Sequence, residues 1–199
     1  MPENGYGRQT RLNNPIDADR IRWFDGHGVG VIGFDSCDGG SNAAGQVSVA
    51  QLDQLGGLIG EHPRSVDYAL VGIIHHHPLP LAVPEWIEHR RFFCFIKPFH
   101  EHTVAFDQAG GFLDFVKAHQ FRAVMHGHKH IPREANLPGN IPLYGAGSAT
   151  GMIETEDHRQ LLSLNILTID VHKRVTCRFH LEDTPGGGKS YEREYVIRG

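Results

Sequence analysis

The sequence has few cysteines, no long apolar run and little net charge. Its three cysteines, at positions 37, 94 and 177, form no CxxC pair and are too few for a disulfide scaffold. No apolar segment is as long as a membrane-spanning helix, which needs about 18 residues. The first 15 residues are polar, which is not typical of a signal peptide. These absences predict a cytoplasmic protein with no membrane partner.

The size and charge of the chain further limit the class of protein to which it can belong. Its 199 residues carry 19 Lys and Arg against 23 Asp and Glu, and the formal charge of −4 does not favour binding to a nucleic acid polymer. A hydrophobic content of 40% is enough for one globular domain with a sizeable core. Glycine and histidine are abundant, with 24 and 15 copies.

Short apolar runs alternate with helical patterns along the first two thirds of the chain. Buried strands are predicted at residues 29–34, 68–74 and 121–125. Helices are predicted from the cap at Ser48 to His62 and over residues 112–119. Further strands are predicted at residues 142–146, 161–169, 175–181 and 191–197. This order indicates an α/β fold with a largely parallel sheet, extended by antiparallel strands or by a second sheet.

Histidines follow two of the predicted strands directly. Residues 75–77 are all histidine after the second strand, and residues 126, 128 and 130 are histidine after the third. Because ligands gather at the carboxyl ends of parallel strands, we expect the two groups to meet in space. Neighbours in an extended chain point to opposite sides, so only His76, or the pair His75 and His77, should face the shared point. A single loop histidine is usually only a surface residue, but two converging groups indicate a metal site.

Three segments resemble the later motifs of a known family. These are IIHHHPLP at 73–80, VMHGHKHIP at 124–132 and YGAGSAT at 144–150, and they look like motifs of the calcineurin-like metallophosphoesterases. The nearest subgroup is the bacterial cyclic-nucleotide phosphodiesterase type. The segment VIGFDS at 31–36 is similar to a strand and loop after the first half of that fold. The resemblance covers roughly residues 28–170.

The resemblance implies a function and a ligand set. Its members are metal-dependent hydrolases of phosphate esters, built as a layered β-sandwich flanked by helices (the metallophosphatase-type fold), and they hold two divalent ions (Mn, Fe or Zn). Carried over by position, His76 and His128 would hold one ion and His130 the other. His77 and His126 would lie beside the ions or on the substrate side. No catalytic side chain is assigned, because the family's proton-donating GNH histidine has no counterpart in this sequence.

The carboxylate motifs of the family are missing as well. The sequence contains no GDxxD block. Asp25 and His27 have the letters of a DxH motif, and Asp35 and Asp38 have DxxD spacing, but both lack the family's context and are interpreted as coincidental. A two-ion site needs a bridging carboxylate, so we expect about one ion here.

The missing blocks also shape the expected domain organisation. We expect residues 1–27 to be an irregular lead-in and residues 28–199 to be the C-terminal part of a phosphoesterase domain that lacks its N-terminal half. The apolar strands at 29–34 and 68–74 would then lack neighbours and promote self-association. A second chain could supply the missing motifs. The alternative function is a non-catalytic remnant of the same fold that binds a metal or a partner.

Overall fold

Helices and strands occupy most of the chain that can be described. The computed structural model describes residues 20–37, 45–79, 106, 109–128, 132–147, 153–154, 160–183 and 190–191. In chain order the elements are β1 (Ile21–Phe24), β2 (Val29–Phe34), α1 (Val49–Glu61), a 3-10 turn (Ser65–Asp67), β3 (Ala69–Ile74), α2 (Ala109–Ala118), β4 (Ala123–His126), β5 (Arg133–Leu137), β6 (Ile141–Gly145), β7 (Ile153–Glu154), β8 (Gln160–Ile169), β9 (Val175–Asp183) and β10 (Ser190–Tyr191).

The first sheet has six strands in the order β1-β2-β3-β4-β6-β5. The four central strands are parallel, and the edge strands β1 and β5 are antiparallel to their neighbours. The register aligns the last residues of the parallel strands in one row, which runs Phe34, Ile74, His126 and Gly145. The expected α/β class is therefore confirmed as a mixed fold, and all four parallel strands end at the same edge.

Helices α1 and α2 cover one face of this sheet. Their apolar residues recur at helical spacing, and Leu55, Ile59, Phe112 and Val116 are all buried in one core with residues of the parallel strands. Helix α1 begins after Ser48, whose hydroxyl accepts a hydrogen bond from the Gln51 backbone N–H, as the capping pattern predicts. Among the described residues, no helix is long and apolar enough to cross a membrane.

A second, antiparallel sheet packs against the opposite face. Its strands run in the order β10-β9-β8-β7, and Phe179 of β9 contacts Ala123 and Tyr144 of the first sheet in a small separate core. The turn between β8 and β9 also reaches the first sheet, where the Lys173 ammonium donates to the carbonyl oxygens of His27 and Gly28. Of the two arrangements expected for the trailing strands, the structure therefore has the second sheet.

Two expectations about the start of the fold need correction. Strand β1 lies within the segment 1–27 that was expected to be an irregular lead-in; residues 1–19 lie outside the described part. In β1, Ile21 is buried and Arg22 exposed, because an edge strand has one face on the core and one in solvent. Strand β2 pairs with both β1 and β3, and β3 pairs with both β2 and β4. The prediction that these two apolar strands lack neighbours is therefore wrong.

Candidate metal centre

The histidine segments lie at the carboxyl edge of the parallel strands. His75–His77 follow the last residue of β3, and Gly127 and His128 follow the last residue of β4. Backbone hydrogen bonds continue the ladder past the strand ends: the Gly127 N–H donates to the His75 carbonyl at 3.0 Å, and the Ala146 N–H donates to the His126 carbonyl at 2.6 Å. The convergence predicted from the strand order is confirmed.

Three imidazoles lie close enough to share an ion. His75, His76 and His128 offer ring nitrogens that all lie within 4.8 Å of one another. Of these, His128 Nδ1 and His75 Nε2 are 3.2 Å apart. Two nitrogens bound tetrahedrally to one ion at about 2.0–2.1 Å would be roughly 3.3 Å apart. That pair already has the spacing of two ligands, and the third nitrogen lies within 4.8 Å of both.

His76 is the best-fixed member of this group. Its side chain is fully buried, and its backbone N–H donates to Ser36 Oγ at 3.1 Å. Ser36 Oγ also lies 2.9 Å from His76 Nδ1. A Cβ on Gly45 would collide with Cβ and Cγ of His76, so only glycine allows the loop backbone to cover this ring. His76 is thus enclosed on its Nδ1 side by Ser36 and Gly45.

His128 adopts a left-handed backbone conformation. Its φ is +69°, in the turn that follows β4. Histidine is among the residues enriched there, but a residue other than glycine in this region costs of order 1–3 kcal/mol. Such strain tends to occur at functional sites, where the surrounding structure holds it in place. Here the ring of His128 ends up 4.5 Å from that of His76, measured between ring centroids.

The three-histidine donor set has a defined metal preference. Imidazole nitrogen suits Zn, Fe, Ni and Cu, whereas carboxylate and water oxygens suit Mg, Ca and Mn. Comparison of the sequence with profiles of known protein families gives no match, and comparison with curated proteins gives no significant match. The three imidazole nitrogens of the site fit one divalent transition metal ion.

The other histidines predicted for the site lie beside this group or outside the described residues. His77 and His126 are buried, and their ring centroids lie 6.3 Å apart. The ring of His77 also stacks at 6.3 Å from that of His128. They lie beside the group of three without belonging to it. His130 lies outside the described residues, so its assignment as a ligand stays a prediction.

Sequence reasoning did not select His75 together with His76. The alternation rule holds for extended backbone, but pairing of β3 ends at Ile74 and the next two residues form a bend. Both rings can therefore approach His128. Ser36 was also not connected to the site, because it is 40 positions away from His76 in the chain. Only the pairing of β2 with β3, which aligns Phe34 with Ile74, indicates that Ser36 follows the neighbouring strand end.

Two of the carboxylates considered in the sequence, Asp25 and Asp35, lie apart from this group. Asp25 precedes β2 and so lies at the opposite end of the sheet, where its Oδ1 accepts a hydrogen bond from the Tyr68 hydroxyl at 2.8 Å. The Asp35 carboxylate is engaged by Arg20 and by the Cys37 N–H. Asp38 lies outside the described residues. Partial desolvation and the nearby Asp35 charge raise the pKa of the Cys37 thiol above its usual value.

Proposed function

We propose that the chain is a metal-dependent hydrolase of phosphate esters whose ion is held by His75, His76 and His128. The single observation that carries this proposal is the group of three imidazoles at the carboxyl edge of the parallel strands. The layers, with helices on one face of the first sheet and a second sheet on the other, are compatible with the metallophosphatase-type fold that the resemblance implies. His128 and His76 are also two of the ligands carried over from that resemblance.

Each of the three histidines has a distinct task in this proposal. When bound, a divalent ion supplies Lewis acidity toward the oxygens of a phosphate ester. Buried His76 would bind the ion from the protein interior, and half-buried His128 would bind it from a second side. His75 is exposed, so the group is open to solvent on its side, and a substrate can approach there. The all-nitrogen set favours Zn or Fe over Mn.

The proposal assigns one ion to this group of histidines. No carboxylate belongs to the histidine group within the described residues, and two ions need such a bridge. A second ion would therefore require ligands beyond these three histidines, such as the predicted ligand His130. That no carboxylate joins the group among the described residues equally favours the alternative function, a protein that binds a metal without hydrolysing a substrate.

Metal titration and a hydrolysis assay on the full chain test both functions. The metal-free protein should bind about one Zn²⁺ by calorimetry, and His76→Ala should abolish tight binding. His172→Ala is the matched control, because His172 is exposed in the turn after β8, on the second sheet. The loaded protein should hydrolyse bis-p-nitrophenyl phosphate, and His76→Ala should not. Binding without hydrolysis would support the alternative, and no binding would overturn the metal site itself.

A further inference from the structure

The contact between Ser36 and His76 determines how the histidine can meet an ion. We propose that Ser36 is a positioning residue that holds the proton of His76 on Nδ1 and thereby directs Nε2 to the metal. The inference rests on the proposed metal site. Ser36 is 1% exposed and His76 is fully buried, so water does not compete for this contact.

The geometry favours Nε2 as the nitrogen that faces the ion. Nδ1 lies 2.9 Å from Ser36 Oγ, and the same oxygen is 3.1 Å from the His76 backbone N–H. Ser36 Oγ has two lone pairs, so it can accept from the His76 backbone N–H and from Nδ1–H at once when its own hydroxyl proton points away from the ring. A Cβ on Gly45 would also meet Nδ1, so backbone covers this side of the ring. In a neutral imidazole the hydrogen bond made by one nitrogen decides which nitrogen can bind a metal.

Hydrogen bonds from Gln51 of α1 and from Gln46 hold the backbone at Asp35 and Ser36. The Gln51 side chain accepts from the Asp35 N–H at 2.8 Å and donates to the Asp35 carbonyl at 3.0 Å, so it grips the backbone on both sides. Gln51 is itself 3% exposed. On the other side of Ser36, its carbonyl accepts from the Gln46 N–H at 2.9 Å. Because both flanks are tied down, Ser36 cannot easily follow a His76 ring that turns away.

The effect on metal affinity follows from this arrangement. A residue that hydrogen-bonds the second nitrogen of a histidine ligand typically changes metal affinity by about 10–100-fold when it is removed. Ser36→Ala should lower Zn²⁺ affinity by that factor. Ser36→Thr keeps the hydroxyl and should restore most of the affinity. Ser163→Ala removes a hydroxyl that is 6% exposed, on β8 of the second sheet, and should leave the affinity unchanged.

Nitrogen NMR of the metal-free protein tests the tautomer without using activity. In the ¹⁵N-histidine-labelled chain, the His76 signals are assigned by their loss in His76→Gln. The wild type and Ser36→Thr should show a protonated Nδ1 and an unprotonated Nε2. Ser36→Ala should shift the population toward protonated Nε2. A purely structural role for Ser36 would change the thermal stability and leave this population unchanged.

The outcomes separate this inference from the proposed function. A wild-type His76 protonated on Nε2, or a Ser36→Ala protein with unchanged tautomer and unchanged Zn²⁺ affinity, would overturn the positioning role. A wild type that binds no metal would overturn the proposed function, and the NMR result would still decide the role of Ser36. If Ser36→Ala does not fold, Gln51→Met replaces it, because it releases the Asp35 backbone without touching His76. A changed tautomer population in that variant supports the inference, and an unchanged one overturns it.

Discussion

Gly45→Ala should destabilise the protein and weaken metal binding together. The added Cβ would collide with Cβ and Cγ of His76 and meet its Nδ1, and neither the buried ring nor the buried backbone has room to retreat. Overpacking of this kind costs about 1–3 kcal/mol. The lower entropy of the unfolded alanine chain offsets about 0.4–1 kcal/mol of that. The free energy of unfolding should therefore fall by a net value of about 1–2 kcal/mol.

Thermal unfolding of the metal-free protein measures this loss. At about 2–4 °C per kcal/mol for a domain of this size, the Tm should fall by about 2–8 °C. The Kd for Zn²⁺ should rise at least about 10-fold, since the ring is displaced. Gly57→Ala is the matched control: its Cβ meets nothing within 4 Å in the interior of α1, so it should stabilise by about 0.5–1 kcal/mol. If Gly45→Ala were as stable as Gly57→Ala and bound Zn²⁺ normally, the enclosure of His76 by the loop would be refuted.

Three further predictions concern His128, Phe112 and His119. The backbone of His128 is held at a φ of +69°, a strain that His128→Gly relieves and His128→Ala does not. Both variants should lose Zn²⁺ binding, but the glycine variant should unfold at a higher urea concentration. The reverse order would argue against strain at this position. Phe112→Ala removes a ring that is 1% exposed and whose centroid lies 5.0 Å from that of Phe34. The free energy of unfolding measured in urea should fall by about 3–5 kcal/mol. A fall of less than about 1 kcal/mol would contradict the core position of this ring. Burial lowers the pKa of His119 in the folded protein from the ordinary value of 6.5. As the pH drops below 6.5, the unfolded chain therefore binds a proton at His119 more readily than the folded protein does, and the free energy of unfolding falls. His119→Gln should flatten that fall between pH 7 and pH 5 in thermal melts of the metal-free protein, and an unchanged slope would show that another group causes it.

The strands and helices of the core were largely predictable because their patterns are strong and local. The strand predicted at residues 29–34 is β2, and helix α1 occupies the residues between its predicted cap at Ser48 and His62. The edge strands of the first sheet, β1 and β5, were not predicted. Ile21–Phe24 and Arg133–Leu137 each contain charged residues that solvent tolerates, so their sequences lack the continuous apolar character of a central strand. Their strand conformation depends on the neighbours that pair with them.

The candidate site was predictable in its place and in two of its three members, His76 and His128, but not in the third, His75. The convergence of the two histidine segments follows from parallel strands that end at one edge, and this could be argued from order alone. The choice among His75, His76 and His77 depends on the bend that begins after Ile74, which no period in the sequence reveals. The part played by Ser36 depends on a contact across 40 positions. Local patterns therefore located the site, and tertiary packing selected its atoms.

The absence of any spacer between strand and histidine has a consequence for engineering. Ile74 is the last paired residue of β3, and His75 is the next residue in the chain. The spacing of the donor atoms is therefore set by the register of the paired strands. One residue inserted between Ile74 and His75 would turn the donors away, whereas one inserted in the surface turn near Arg64, ahead of β3, should be absorbed. Transplanting this centre into another parallel sheet would require three adjacent strand ends in the same register, because Ser36, which contacts His76, follows the end of β2.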